Sequence, residues 1–295
     1  MKHWIKAARP RTLPLAFSST LLGSFMAWHE KPFKTSVFIM ALLTTLFLQI
    51  LSNLANDYGD SVNGMDNEHR VGPKRTVQSG AITQKEMLVA IIITSTLALI
   101  SGILLIGYGF NFNLSTGGIV FFLLGLASLA AAIKYTVGKN PYGYIGFGDL
   151  FVYIFFGLTG VLGTFYLHTG RIGWIDLLPA TAIGFLSTAV LNLNNMRDIE
   201  GDRRSGKRTL VVLMGSDKAH LYHLFLIVGA MVTLCLYAIY KYHSPLQFIF
   251  LVLIPFFIIH LRKVFTTTPP AALDPELKKL ALATFGTAIL FGIFL

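Results

Sequence analysis

The sequence predicts an all-α, polytopic membrane protein with nine transmembrane helices. Three observations set that class. Of 295 residues, 54% are hydrophobic and only 13% charged, against roughly 25% charged in an average soluble domain. The apolar residues fall in long runs: Leu88 to Gly107 and Leu221 to Tyr240 each hold about 20 residues without a charge, enough to cross ~30 Å of bilayer hydrocarbon. Finally, the basic residues sort to one side of the spans these runs define.

Taken in order, the spans are Thr12–Trp28, Val37–Asn56, Met87–Tyr108, Gly117–Ile133, Leu150–Leu167, Ile175–Leu191, Leu221–Tyr240, Leu246–Leu261 and Leu280–Leu295. The first follows Lys2, Lys6, Arg9 and Arg11, a signal-like beginning. No small-residue cleavage site and soluble chain follow it, so it is read as a retained helix. All nine are read as helices because backbone groups in lipid must be satisfied within the segment, whereas barrel strands would alternate and run shorter. With nine spans, all of the 24 Lys and Arg except Lys31, Lys34, Arg171 and Lys241 fall on the side of the N-terminus. That bias predicts a cytoplasmic N-terminus and a C-terminus on the opposite side. The whole chain, 1–295, reads as one integral-membrane domain.

Several functions are excluded at this level. The single cysteine, Cys235, lies in an apolar run and forms neither an internal disulfide nor a thiolate metal site. The net charge of +10 is explained by loop residues that report topology and meet anionic lipid, so no nucleic-acid partner is expected. The eight histidines show no metal-ligand spacing, and no nucleophile signature or phosphate-binding glycine loop occurs.

Two long polar connections, Asp57 to Glu86 and Arg197 to Lys218, stand apart from short chargeless ones such as Gly107 to Thr116. In the second, Asn194, Asp198 and Asp202 are spaced four apart, which stacks them on one helix face. In the first, Asn56 and Asp60 are four apart, as are Asn53 and Asp57. Each cluster is followed by cations: Arg70, Lys74 and Arg75 in one, Arg203, Arg204, Lys207 and Arg208 in the other. Stacked carboxylates repel unless a cation lies between them, and oxygen-only ligands of this kind suit Mg²⁺ shared with substrate phosphates. The residues expected to reach the metal are Asn56, Asp57, Asp60, Asn194, Asp198 and Asp202. The nearby Arg and Lys would neutralise a diphosphate. A dry cavity beside such a cluster suits ionisation of an allylic diphosphate.

At this point the sequence resembles the UbiA superfamily of intramembrane aromatic prenyltransferases, along essentially the whole chain. Asn56-Asp57-Tyr-Gly-Asp60 is similar to that family's first aspartate-rich motif, and Asp198-Ile-Glu-Gly-Asp202 to its second. Tyr135-Thr136-Val-Gly-Lys139 is similar to a YTxxK element whose lysine contacts diphosphate. Asp66 stands near the place of a third aspartate, which is Gly64 here. The resemblance implies nine helices around a central cavity, Mg²⁺ as cofactor, a polyprenyl diphosphate donor, and an enzyme embedded in the bilayer. Ala8 through Pro14, Asn53 through Asp60, Gly72 through Gly80 and Asn194 through Thr209 resemble the branch that prenylates 1,4-dihydroxy-2-naphthoate. That branch releases CO₂ and diphosphate and forms demethylmenaquinone in the bacterial cytoplasmic membrane.

The resemblance also implies roles for individual residues: Asp57, Asp60, Asp198, Asp202, Lys139 and Tyr135 in catalysis, and Asn53, Asn56, Arg70, Lys74, Arg75, Asn194 and Lys207 in substrate binding. Arg197 either clamps phosphate or pairs with a neighbouring acid, since Arg suits both. Arg11 either meets the naphthoate carboxylate or reports topology. Asp149 is either a capping residue of the fifth span or a polar group facing the cavity. Tyr58 and Tyr135, beside the polar clusters, are the aromatic candidates for stabilising an allyl cation. The rival readings are another aromatic acceptor, 4-hydroxybenzoate or homogentisate, and a transporter. The acid clusters lie at the ends of spans two and six in one orientation, without the inverted repeat a transporter commonly shows.

Overall fold

The computed structural model describes residues 1–65 and 75–295, and all regular structure among them is helical. A short helix, α1 (Lys2–Ala8), ends at Arg9 in the left-handed region (φ 47°). It is followed by α2 (Leu13–Glu30), α3 (Thr35–Val62), α4 (Gln84–Gly109), α5 (Thr116–Lys134), α6 (Gly148–Thr169) and α7 (Leu177–Arg204). A five-residue helix, α8 (Leu210–Met214), leads to α9 (Ser216–Tyr240), α10 (Pro245–Thr266) and α11 (Asp274–Ile293). Nine of these have 18 residues or more among the described residues, and they match the nine expected spans in order.

Starts are set by side chains that satisfy the first free N–H groups of each helix. Thr83 and Glu86 form a reciprocal capping pair at α4, Ser115 accepts from Gly118 N at 3.1 Å at α5, and Ser244 and Gln247 do the same for α10. Ends are where expectation and structure part. The polarity switch at Asn56 and Leu191 suggests the second and sixth spans stop there, yet α3 continues to Val62 and α7 to Arg204. Charged residues do not terminate a helix when other parts of the chain pair with them. Both acid clusters are therefore carried on rigid helix rather than on loops.

Seven of the nine helices are long and apolar enough to cross a bilayer by themselves, which makes the chain a multi-pass membrane protein. The remaining two, α2 and α11, pack along each other and bury small and polar residues such as Ser18, Ser19, Thr20, Ser24, Thr284 and Thr287. Helices sheltered by protein need less apolar surface than those facing lipid. At the other extreme α5 buries only Ala131 and shows Ile119, Val120, Leu123 and Leu126 to the outside.

The main core joins α2, α6, α7, α9, α10 and α11, while a smaller one links α1, α3 and α4 through Ala7, Leu51, Leu54, Met87 and Ile91. The middle of α6, Tyr153–Gly163, is π-helical, a geometry concentrated at functional sites. It lies close against α7: a Cβ at Gly157 would come within 2.8 Å of Ala180 O. Six helices, α2 to α7, with the first turns of α11, surround one cavity of about 800 Å³.

Candidate active site

Both acid clusters open into that cavity. From the end of α3 it is lined by Asn56, Asp57 and Asp60, and from the end of α7 by Asn194, Arg197, Asp198 and Asp202. The link between them is Lys207. Its ammonium lies 3.2 Å from Asp60 Oδ1 and 3.9 Å from Asp202 Oδ1, and 4.5 Å from the centre of the Tyr144 ring. A cation thus rests between carboxylates that are far apart in the sequence.

The first cluster is built by close approach of three segments. A Cβ at Gly59 would come within 2.6 Å of Thr136 O, so glycine lets α3 meet the connection after α5. There Thr136 Oγ1 donates to Ala55 O at 3.0 Å and to Asn56 Oδ1 at 3.1 Å, and Asn63 Nδ2 donates to Thr136 O at 2.8 Å. Asp57 Oδ2 accepts from both the backbone N–H and the hydroxyl of Thr76. Asp60 is ion-paired with Arg75 and accepts from the Tyr144 hydroxyl. Arg75 also donates to the carbonyl of Asn56. Burial and the negative charge of Asp60 push the Tyr144 phenol well above its ordinary range, which keeps it a donor.

The second cluster is held from its own helix. Arg197 grips Asp198 through Nε at 2.8 Å and Nη2 at 2.6 Å, donates to Asn194 Oδ1 at 2.9 Å, and reaches Asp274 Oδ1 at 2.5 Å. Arg197 thus pairs with neighbouring acids, one of the two roles expected for it. Lys207 is brought to the site by a backbone bond, Arg208 N to Tyr144 O at 2.7 Å, that docks the chain after α7 on the chain before α6.

Below the polar mouth runs an aromatic wall. Ring centroids of Tyr135 and Tyr142 are 5.3 Å apart, Tyr142 and Phe151 stack at 4.0 Å, and Phe151 and Phe155 are 6.0 Å apart. All four line the cavity. Burial raises both tyrosine phenols, so they remain neutral rings beside the acids.

Not every expected residue arrives. Asn53 is buried away from the cavity lining, donating to Ala8 O at 2.9 Å and Thr12 Oγ1 at 3.0 Å. It ties α1 to α3 instead of facing substrate. Lys139 is exposed and outside the lining. Asp149, in the first turn of α6, is buried outside the lining, and the Thr188 hydroxyl of α7 donates to its backbone carbonyl at 3.4 Å. Tyr58 packs against the smaller core and is outside the lining, so the aromatic candidate beside the first cluster is replaced by Tyr142 and Tyr144. Arg11 does line the mouth. Arg70, Lys74 and Asp66 lie outside the described residues. Thr76, Tyr144 and Asp274 were missed from sequence. Thr76 directly follows the Lys74-Arg75 pair, and that position was the only local signal.

The donor chemistry is that of a hard divalent cation, although among the described residues no three acids or histidines converge into a ready-made metal site. The donors are carboxylate and amide oxygens, the preference of Mg²⁺, and Asp57 Oδ1 is buried without a hydrogen-bond partner among the described residues. The Lys207 ammonium marks a place between acids where positive charge is stabilised.

Comparison with known proteins gives the family. The UbiA prenyltransferase family model matches residues 16–286. The chain belongs to the UbiA prenyltransferase family. Among its relatives, a 1,4-dihydroxy-2-naphthoate octaprenyltransferase of Escherichia coli (strain K12) is 45% identical over 294 residues, covering 99% of this chain and 95% of the relative. The Haemophilus influenzae protein of the same name is 42% identical over 295 residues, again covering 99% and 95%. The UbiA fold is shared with a homolog from Archaeoglobus fulgidus solved bound to DMAPP and Mg²⁺ (TM-score 0.68, 13% identity, 99% of each chain). It is shared too with an apo homolog from Aeropyrum pernix K1 (TM-score 0.66, 18% identity, 99% of this chain and 96% of that one).

Proposed function

We propose that the protein transfers a polyprenyl group from its diphosphate to 1,4-dihydroxy-2-naphthoate, with loss of CO₂ and diphosphate, in menaquinone synthesis. The observation that carries this reading is Lys207 standing within 3.2 Å of Asp60 and 3.9 Å of Asp202. It makes the two acid clusters one site at the mouth of one cavity. The names of relatives 45% and 42% identical over the full chain support the acceptor and point to an octaprenyl donor.

In this reading Asn56, Asp57, Asp60, Asn194, Asp198 and Asp202 hold Mg²⁺, which when bound stabilises the departing diphosphate. Arg75 and Lys207 exchange part of their pairing with Asp60 for phosphate oxygens, and Lys139 attracts the diphosphate before it settles. The prenyl C1–O bond breaks, and the allyl cation is sheltered by the faces of Tyr135, Tyr142, Phe151 and Phe155, where ring quadrupoles favour positive charge. The naphthoate ring carbon bearing the carboxylate forms the new bond to C1, and the carboxylate leaves as CO₂. Arg11, at the mouth, pairs with the acceptor carboxylate and orients the ring. The apolar lining of α4, α5 and α6 keeps water from the cation. In this reading the site faces the cytoplasm from the bacterial inner membrane, with the C-terminus opposite, and the basic bias supports that orientation.

The test is a membrane assay offering 1,4-dihydroxy-2-naphthoate, 4-hydroxybenzoate and homogentisate with octaprenyl diphosphate, with and without chelator. The expected result is naphthoate-dependent product and diphosphate release, lost on chelation and restored by Mg²⁺. Product from another acceptor alone would reassign the substrate, and turnover unaffected by chelation would remove the metal.

A further inference from the structure

Behind the second cluster, four side chains from four helices form a buried chain of hydrogen bonds. Asn192 Nδ2 of α7 lies 3.3 Å from His223 Nδ1 of α9, and His223 Nε2 lies 3.0 Å from His260 Nε2 of α10. His260 Nδ1 lies 3.0 Å from Glu276 Oε2 of α11. All four are buried, and none lines the cavity. At the far end of the chain, Glu276 Oε1 accepts from Lys279 at 2.7 Å and from Lys263 at 3.5 Å.

One ordering of protons satisfies every link. Glu276, paired with two lysines, is a carboxylate and only accepts, so His260 carries its proton on Nδ1. The Nε2 of a neutral His260 then has the lone pair and accepts, which obliges His223 to donate from its own Nε2. His223 Nδ1 is left to accept from the Asn192 amide, whose second N–H reaches Ala219 O at 3.2 Å. Each tautomer is dictated by its neighbour. Leu or Phe at these places would bury at less cost in desolvation, so packing alone gives no reason for two imidazoles and a carboxylate.

The chain ends where its effect on the site is greatest. Asn192 and Asn194 are two residues apart, about 200° around a helix of 3.6 residues per turn, so they lie on opposite faces of α7. The cavity face is held by Asp274 through Arg197, and the rear face by Glu276 through the two histidines. Both acids belong to the first turn of α11. We propose that His223, His260 and Glu276 are positioning residues that fix the rotation of α7, so that Asn194, Asp198 and Asp202 face the cavity together. This rests on the metal-binding reading of that cluster.

The experiment measures Mn²⁺ binding by electron paramagnetic resonance on the full-length protein in detergent, beside Mg²⁺-dependent turnover. His260→Leu should weaken Mn²⁺ binding about tenfold or more, the loss typical of removing support behind a metal ligand. His260→Gln, whose amide oxygen accepts from His223 and whose NH₂ donates to Glu276, should recover affinity to within about threefold by the same reasoning. A folded His260→Leu protein with wild-type Mn²⁺ affinity would overturn the proposal, whatever its melting temperature, as would a folded His260→Gln that recovers nothing. Should His260→Leu not fold, Glu276→Leu against Glu276→Gln makes the same comparison with the same expected and overturning results. Absence of saturable Mn²⁺ binding in the wild type would instead bring down the metal site itself, and the positioning proposal with it.

Discussion

The two acid clusters share a spacing but are supported in opposite ways. At the end of α3, Asp57 and Asp60 are satisfied by groups brought from elsewhere in the chain: Thr76, Arg75, Tyr144 and Lys207. At the end of α7, Asp198 is held by the adjacent Arg197, which is held by Asp274, while the rear of the helix is tied to α9, α10 and α11. The first cluster thus depends on connections whose cations can change partner when a diphosphate arrives. The second depends on packed helices, where repositioning would cost several buried bonds at once. One side of the site is adaptable and the other is a fixed template.

Substitutions that remove an acid should erase this contrast, because both sides contribute to one centre. Asp60→Ala and Asp198→Ala should each lower kcat by about a thousandfold, the upper range for loss of one preorganised stabilising group. Quantified product formation in membranes with matched protein levels checks this, and near-normal turnover in either variant would take that residue out of the mechanism. Smaller losses should reveal the difference between the sides. Tyr144→Phe removes a neutral donor to a buried carboxylate, worth about 1.5–3 kcal/mol, and turnover should fall roughly 10- to 150-fold. Because that phenol is held above its ordinary range, the loss should be the same across neutral pH. A loss that vanished at one end of a pH 6–8 profile would contradict its role as a permanent donor.

Asp274→Asn keeps an acceptor for Arg197 but deletes its charge. Turnover should fall about tenfold, the low end of the range for a supporting partner behind a ligand. The decisive reading is Mg²⁺ titration: the half-saturating concentration should rise for Asp274→Asn more than for Tyr144→Phe. The smallest effect is expected at Lys139. Its side chain is exposed, and an exposed charge is worth about 0–1 kcal/mol. Lys139→Ala should lower kcat/KM for the prenyl donor only about two- to threefold, most clearly at low salt. A loss as large as that of Asp60→Ala would mean that Lys139 enters the cavity during turnover.

Hydropathy made the bilayer-spanning helices legible, because a lipid-facing surface must be apolar along its length. The acids at Asp198 and Asp202 were legible for a local reason as well: a four-residue spacing has one meaning on a helix. What sequence did not disclose came from long-range pairing. Nothing beside Tyr144 marks it as the partner of Asp60, and nothing in Asp274-Pro-Glu276 announces Arg197 and His260. Polarity alone reads as loop after Asn56 and Leu191, yet α3 and α7 run on to Val62 and Arg204, because Arg75, Lys207 and Asp274 stabilise the polar turns. Asn53 shares the four-residue spacing of its cluster, yet it faces Ala8 and Thr12. A helix face can be recruited by a neighbouring backbone as readily as by a metal.

The central claim is that Asp60 and Asp198, carried on different helices, serve one bound diphosphate. A double-mutant cycle on the binding of a non-reactive prenyl diphosphate analogue with Mn²⁺ tests it most directly. With a single shared centre, Asp60→Asn and Asp198→Asn should each abolish most of the metal-dependent affinity, and the double variant should be scarcely worse than either, a strong departure from additivity. Losses that simply add, as they do for independent positions, would show that the two clusters act at separate places.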